Sequence, residues 1–251
     1  MTALRLAVGP LMQQGDGLGG YLGLLASQGY NHYWELQSGI SATATEEDLI
    51  GLGASDHTRI TAASTTTTGP SAVLPNAITN GTGSYRGGIS YDINNSFTMT
   101  MWARSTGLSG NPVLYRFLNI TSSQYCFLIH RDDRSGLCLQ ISTAGGAAVF
   151  VDTSTRIDDG DWHHIAVSHQ YSVGESTDNF LIYIDGSLVV TAGRTTIGWA
   201  INHNPDEHAI GAQSDASALP WPHQIAAVGY KEGTTSSGAE ILAQYELGSG
   251  V

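Results

Sequence analysis

The chain has 251 residues, of which 41% are hydrophobic and 13% are charged, and its formal net charge is −12. This length suits a single large all-β domain, and the hydrophobic fraction is sufficient for a packed core. Lys231 is the only lysine. The chain therefore lacks the cluster of basic residues that binding to nucleic acid or to an anionic membrane requires, and we expect neither partner.

Residues 1–29 are predicted to form an arm and one short helix. The arm ends in the glycine-rich run Gly15–Gly20. Four apolar residues then have the helical spacing i, i+3, i+4, i+7: Leu18, Tyr21, Leu22 and Leu25. Gly29 is the predicted end of this helix. Residues 1–12 lack a basic segment followed by an apolar run, so we expect no signal peptide and synthesis in the host cytoplasm.

The arm carries apolar residues that have no obvious partner within it. These are Leu4, Leu6, Val8, Leu11 and Met12. An apolar segment on a flexible tether is typical of a docking element that orders on a neighbouring subunit or on another protein. The alternative is an ordinary first strand that completes the chain's own sandwich.

From residue 30 to residue 251, short alternating segments separated by turns predict an all-β, two-sheet antiparallel sandwich. Tyr33–Leu36 begins it, and Thr65–Thr68 is an exposed irregular strand or loop. Ser96–Arg104 alternates, which places Phe97, Met99, Met101 and Ala103 on one face. Further strands are predicted at Gln124–His130, Leu137–Ser142, Ala147–Asp152, His163–His169, Asn179–Asp185, Ser187–Ala192, His208–Ala212 and Gln224–Tyr230.

Short sequence motifs also predict a hairpin and a second helix. Asp185-Gly186 predicts a two-residue hairpin turn, because both turn positions need φ > 0. Ser237-Gly-Ala-Glu240 is a capping box that opens a helix through Leu247, with Gly248 as its stop. Trp162, at the start of its strand, is predicted to be buried between the sheets.

The two cysteines, Cys126 and Cys138, are too few for a disulfide framework. Strand alternation predicts that they lie on the same face of one hairpin, where a bridge is geometrically possible. The alternative, which the cytoplasmic synthesis favours, is two semi-buried thiols.

Several short motifs follow one another along the chain. They are Tyr33-Trp34-Glu35-Leu36, Phe97–Arg104, Asp161-Trp162-His163-His164, Tyr183-Ile184-Asp185-Gly186, Ile225–Tyr230 and the helix Glu240–Leu247. In this order they resemble the laminin-G and pentraxin-like branch of the concanavalin A-like lectin/glucanase superfamily. The first motif, with a short helix before it, is similar to the start of sandwich domains in many bacteriophage structural proteins.

The resemblance implies a jelly roll of two stacked antiparallel sheets, with ligand sites on the concave sheet or in the rim loops. Laminarinase-like enzymes of the superfamily carry an E-x-D-x-x-E strand that sends both catalytic carboxylates to one face. No such motif occurs here, since Glu46-Glu47-Asp48 has the wrong spacing. Tyr230–Gly233 is similar to only one of three alginate-lyase-like motifs. We therefore predict that the chain is not an enzyme.

Calcium is the one cofactor that the resemblance suggests, because relatives often bind it through carboxylates of rim loops. Asp92 and Asp215 are the candidate donors. The sequence has no contiguous acidic loop of the Asp-x-Asp-x-Asp type, so solvated turn aspartates are the alternative.

Carbohydrate binding is predicted from aromatic residues in predicted loops. Trp199 and Trp221 could stack on a sugar ring while Asn202 or His203 bonds its hydroxyl groups. The alternative is that the aromatic rings cap the ends of the core.

Three functions follow from these observations. The first is a non-catalytic virion structural protein of a bacteriophage, such as a capsid decoration, head-fibre or tail component. It would bind other virion proteins, of the capsid or tail, through its arm, form a homo-oligomer and be able to bind host-surface glycans. The second is a stand-alone carbohydrate-binding module. The third is a polysaccharide-cleaving enzyme with a diverged site.

Overall fold

A computed structural model describes fourteen segments of the chain. These are residues 18–36, 45–46, 48–51, 57–59, 64–80, 85–87, 96–107, 110–119, 124–131, 136–142, 148–170, 179–193, 207–211 and 221–250. Their strands form two antiparallel sheets that stack as a sandwich, which confirms the predicted fold class.

The elements are, in chain order, α1 (Leu18–Ser27), β1 (His32–Trp34), β2 (Thr45–Glu46), β3 (His57–Arg59), β4 (Ser64–Thr68), β5 (Asn76–Asn80), β6 (Tyr85–Gly87), β7 (Phe97–Thr106), β8 (Val113–Asn119), β9 (Gln124–Arg131), β10 (Gly136–Ser142), β11 (Ala148–Asp152), β12 (Asp159–Gln170), β13 (Asn179–Ile184), β14 (Ser187–Gly193), β15 (Glu207–Ile210), β16 (Gln224–Glu232) and α2 (Gly238–Ser249). Sheet A has the strand order β14-β13-β12-β7-β16-β5-β4, with β1 also paired to β16. Sheet B has the order β11-β10-β9-β8-β15-β6-β3-β2.

The main core lies between the sheets and follows the predicted alternation. The inward residues of β7 are the four that the sequence pattern placed together: Phe97, Met99, Met101 and Ala103. Ile165 and Val167 of β12 lie on the same side of sheet A. They pack with residues from sheet B such as Leu128 and Leu139. Burial of these apolar side chains is the main favourable term in folding.

A second core covers the outer face of sheet A. It joins residues of α1 and of the segment after it to outward residues of sheet A: Tyr21, Leu22, Leu25, Tyr30, Tyr33, Trp102, Ala226 and Ala227. The helices also meet through Gln244, whose Nε2 donates to Gln28 Oε1 at 2.6 Å and to the Tyr30 hydroxyl at 3.0 Å. Among the described residues, no helix is long and apolar enough to cross a membrane.

The capping box of α2 is confirmed, but its end differs from the prediction. Ser237 accepts from the Glu240 N–H, and the Glu240 side chain accepts from the Ser237 N–H. The helix passes Gly248 and ends at Ser249, with Gly250 at φ 76° as its C-cap. Gly248 is instead a packing residue, because it lies directly against the Trp102 ring.

The predicted placement of the two cysteines on one face is wrong. In the β9–β10 ladder, Cys126 pairs with Ile141 and Cys138 pairs with Ile129. Each pair joins an even position to an odd one, so two even-numbered residues on these strands point to opposite faces. Cys126 enters the main core, Cys138 packs with Ile129 in a small outer cluster, and both side chains are buried and form no disulfide.

Alanine substitution should have opposite effects at two helical glycines. A Cβ at Gly248 would lie 2.8 Å from Cζ2 of the buried Trp102 ring, whereas a Cβ at Gly20 of α1 would meet nothing within 4 Å. We expect Gly248→Ala to lower the free energy of unfolding by about 1–3 kcal/mol through overpacking. Gly20→Ala, the matched control, should raise it by about 0.5–1 kcal/mol through helix propensity. Urea unfolding measures both, and a neutral Gly248→Ala would contradict the packing argument.

Candidate functional site

Trp221 does not present a ring for sugar stacking, so the prediction made for this residue is wrong. Its side chain is fully buried in the main core. The Trp221 N–H donates to the Gly211 carbonyl at 2.8 Å, and Nε1 donates to the Gln224 carbonyl at 3.3 Å. These bonds tie the residue to the end of β15 and the start of β16, and the ring then closes the core, as amphipathic rings often do.

The other predicted site residues lie outside the described residues. They are Trp199, Asn202 and His203 for carbohydrate, Asp92 and Asp215 for calcium, and Leu4, Leu6, Val8, Leu11 and Met12 for assembly. Within the described ranges, no group of three or more His, Cys, Asp or Glu side chains could hold a metal ion. The calcium site and the arm therefore stay predictions.

The predicted Asp185-Gly186 turn is confirmed and is locked to the start of β12. Asp185 and Gly186 have φ values of 51° and 74°. Asp185 Oδ1 accepts from the His164 N–H at 2.9 Å, and the Asp185 N–H donates to the His164 carbonyl at 2.8 Å. The two motifs that are most prominent in the sequence therefore meet at one rim of the sandwich.

His163 lies between two carboxylates at this rim. Its Nδ1 is 2.8 Å from Asp185 Oδ2, and its Nε2 is 3.0 Å from Asp159 Oδ1. The hydrogen bond to Asp185 raises the pKa of His163 to about 9, against an opposing effect of burial and with further support from Asp159. His163 is thus a charged clamp that holds the rim together.

His164 points to the face of sheet A opposite to that of His163. It is fully buried beneath the second core, with Nε2 at 2.6 Å from Thr100 Oγ1 and its ring 5.2 Å from that of Trp102. Burial lowers its pKa to about 4. Both histidines of the motif therefore have structural roles.

Trp162 is not between the sheets, so its predicted position is wrong. It pairs with Arg104 of β7 and points outward, where it is half-buried against the second core. A register irregularity between Asp159 and Trp162 separates the start of β12 from its regular part. From Trp162 onward, even positions of β12 face outward, and so Trp162 shares a face with His164.

A second histidine–aspartate pair, His32 and Asp48, has no sequence signature. His32 Nδ1 is 2.5 Å from Asp48 Oδ2, and Asp48 Oδ1 accepts from the N–H groups of Tyr33, Ile50 and Gly51. Burial alone would raise the pKa of Asp48, but these hydrogen bonds lower it. The pair ties residues 48–51 to β1. The sequence alone does not predict the contact between His32 and Asp48, because the two residues are 16 positions apart in the chain.

The two adjacent histidines should give opposite pH dependences of stability. Below about pH 6.5, His164 becomes protonated in the unfolded state but stays neutral in the folded state. The free energy of unfolding therefore falls as the pH drops from 6.5 towards 4. The charged His163 stabilises fully below about pH 6.5, and this contribution is lost as the pH rises through 9.

Urea unfolding of His163→Asn and His164→Gln between pH 4 and pH 10 tests this. We expect His163→Asn to remove about 1–3 kcal/mol near neutral pH and to flatten the alkaline slope only. His164→Gln should flatten the acid slope only, so each variant is the control for the other. Parallel curves for wild type and His163→Asn above pH 6.5 would refute the charged clamp.

Several solved structures share this architecture at low sequence identity. Domain 4 of AbnA, a GH43 extracellular arabinanase from Geobacillus stearothermophilus solved in complex with arabinotriose, is 12% identical, with a TM-score of 0.63 over 86% of this chain and 98% of that chain. The binding domain of botulinum neurotoxin serotype D is 10% identical, with a TM-score of 0.58 over 87% and 52%. A Trypanosoma rangeli sialidase is 14% identical, with a TM-score of 0.57 over 85% and 32%. The chain thus spans only about a third to a half of the sialidase and toxin chains, and these likenesses show the fold.

The sequence itself identifies the family. No curated protein matches it. The family model described as the Concanavalin A-like lectin/glucanases superfamily matches residues 81–229, which is more than half of the 251 residues. Together with the two-sheet sandwich, this match shows that the chain belongs to the concanavalin A-like lectin/glucanases superfamily.

Proposed function

We propose that this chain is a non-catalytic binding protein whose ligand is a carbohydrate, and that it acts as a structural component of a bacteriophage virion. The observation that carries the carbohydrate part is the likeness to an arabinanase domain solved with arabinotriose, which extends over 98% of that domain. A likeness of this extent compares one whole sandwich with another. Because function belongs to the site rather than to the fold, the ligand needs a direct test.

Three of the described aspartates have structural roles, which supports a non-catalytic function of the rim at the start of β12 and of the loop at residues 48–51. Glycoside hydrolysis needs two carboxylates that flank the scissile bond with room for the sugar between them. Asp159 and Asp185 flank His163 instead, and both bond to it. Asp48 is fully buried and accepts three backbone hydrogen bonds. Asp159 and Asp185 thus stabilise the rim at the start of β12, and Asp48 stabilises the loop at residues 48–51.

The virion role rests on the sequence resemblance to bacteriophage sandwich domains at Tyr33–Leu36 and Phe97–Arg104. Those segments lie in one layer, since β1 and β7 both pair with β16. In this proposal, residues 1–17 dock on another virion protein or on a second copy, and the sandwich carries the glycan-binding surface. The partner would be a capsid or tail protein.

A glycan array probed with the full chain, with and without calcium, tests the binding function. We expect binding to neutral oligosaccharides, including arabinan fragments, by the native protein and not by the heat-unfolded control. A reducing-sugar assay on the bound glycans should detect no cleavage. Failure to bind any glycan in either condition would exclude the carbohydrate ligand, and release of shorter sugars would exclude the non-catalytic role.

Deletion of residues 1–17 tests the assembly role. If the arm docks on a partner and adds nothing to the core, the truncated chain should keep its melting temperature but fail to join particles or oligomers. Thermal melts and light scattering measure these properties. Unfolding of the isolated truncated chain would show instead that the arm belongs to the sandwich.

A further inference from the structure

Five side chains form a continuous row across the outer face of sheet A. In the strand registers, Trp162 pairs with Arg104, Arg104 with Gln224, Gln224 with Thr79, and Thr79 with Thr65. Residues directly opposite each other in a sheet share a face. The row crosses five strands, a width of about 19 Å at the usual strand spacing. We call this row the outer ledge.

Among the described residues, the outer ledge is the first row beside the helices that neither helix covers. Along β7, Thr100 and Trp102 lie beneath the second core, and Gly248 and Tyr245 of α2 pack on the Trp102 ring. The next outward residue, Arg104, is exposed. Within the row, Arg104 and Thr65 are exposed and the other three are half-buried. The second core thus borders the outer ledge on one side, and the ledge itself is accessible to solvent.

We propose that the outer ledge binds a neutral oligosaccharide, an assignment that rests on the carbohydrate-binding function proposed above. Its composition matches what a sugar chain requires. A half-exposed indole offers an apolar face to a pyranose or furanose ring. Guanidinium, amide and hydroxyl groups beside it donate to and accept from sugar hydroxyls. The width of the row fits a short chain of sugars better than a monosaccharide.

Two of the polar side chains are held in place before any ligand arrives. Arg104 Nε donates to the Gly160 carbonyl at 2.6 Å, which leaves the terminal N–H groups of the guanidinium for a ligand. Gln224 Nε2 donates to Thr67 Oγ1 at 3.2 Å, which leaves the amide oxygen as an acceptor. Side chains that are already fixed lose less conformational entropy on binding.

The charge around the ledge favours a neutral ligand. Asp159 and Asp161 lie close to Trp162 in the sequence and are exposed, and the chain carries a net charge of −12. An acidic sugar would be repelled by this field even with Arg104 present. A purely structural interpretation, in which Trp162 only caps the second core, predicts effects on stability and none on sugar affinity.

Calorimetric titration and tryptophan fluorescence with arabinotriose, cellotetraose and mannotetraose as probes test the proposal. We expect Trp162→Ala and Arg104→Ala each to raise the Kd of the bound probe about 10-fold, which corresponds to a loss of about 1.4 kcal/mol of binding free energy. Trp162→Phe should retain most of the affinity. The matched controls Arg156→Ala, at an exposed arginine with its own aspartate partner, and Gln140→Ala, on sheet B, should stay within about twofold of wild type.

The outcomes separate the two proposals. If wild type binds a probe and the ledge variants bind it equally well, the ledge is wrong while the carbohydrate function stands. If wild type binds none of the probes, both the ledge and the carbohydrate function fail. If Trp162→Ala does not fold, Arg104→Ala and Gln224→Ala decide the question, because Arg104 is exposed and Gln224 is only half-buried.

Discussion

The fold depends on the burial of sheet A on both of its faces. One face packs on sheet B, and the other carries the second core with α1 and α2. This explains why β7 is buried at seven successive positions from Phe97 to Ala103, although its sequence alternates apolar and polar residues. The polar members of that alternation are not solvated. Thr98 and Thr100 bond instead to Ser168 and His164 of β12 within the layer beneath the helices.

The two histidines of the motif around Trp162 hold the fold together. They point to opposite faces of one sheet and are held by different chemistry, an ion pair for His163 and a buried hydrogen bond for His164. Asp185, from a hairpin 21 residues further on, bonds to both. These contacts stabilise the fold, and the fold by itself does not specify a ligand.

Local patterns predicted much of the fold, whereas positions that depend on register could not be predicted. The inward face of β7, the Asp185-Gly186 turn and the α2 capping box each depend on neighbours within a few residues, and all three are confirmed. The faces of Cys126 and Cys138 depend on which residues pair across a hairpin, and the sequence does not state this.

The errors at Trp162 and Trp221 have a related cause. Whether an aromatic ring at a strand end turns towards the core, the second layer or solvent is decided by tertiary contacts that local periodicity does not contain. The Trp221 backbone is bonded to Gly211 and its ring faces inward, whereas Trp162 faces outward beside a layer of helices. The pair of His32 and Asp48, and the row of side chains that ends at Thr65, likewise exist only once distant strands have paired.

The separation of the two thiols gives the protein a pair of internal reporters. Cys126 is sealed between the sheets and Cys138 lies in a different cluster on the far side of sheet B, and each is at most 3% exposed. A thiol reagent reaches Cys126 only when the two layers part, and it reaches Cys138 only when the outer surface of sheet B opens. The labelling rates of the two cysteines therefore report two distinct opening events in the native protein, and no cysteine has to be introduced to measure them.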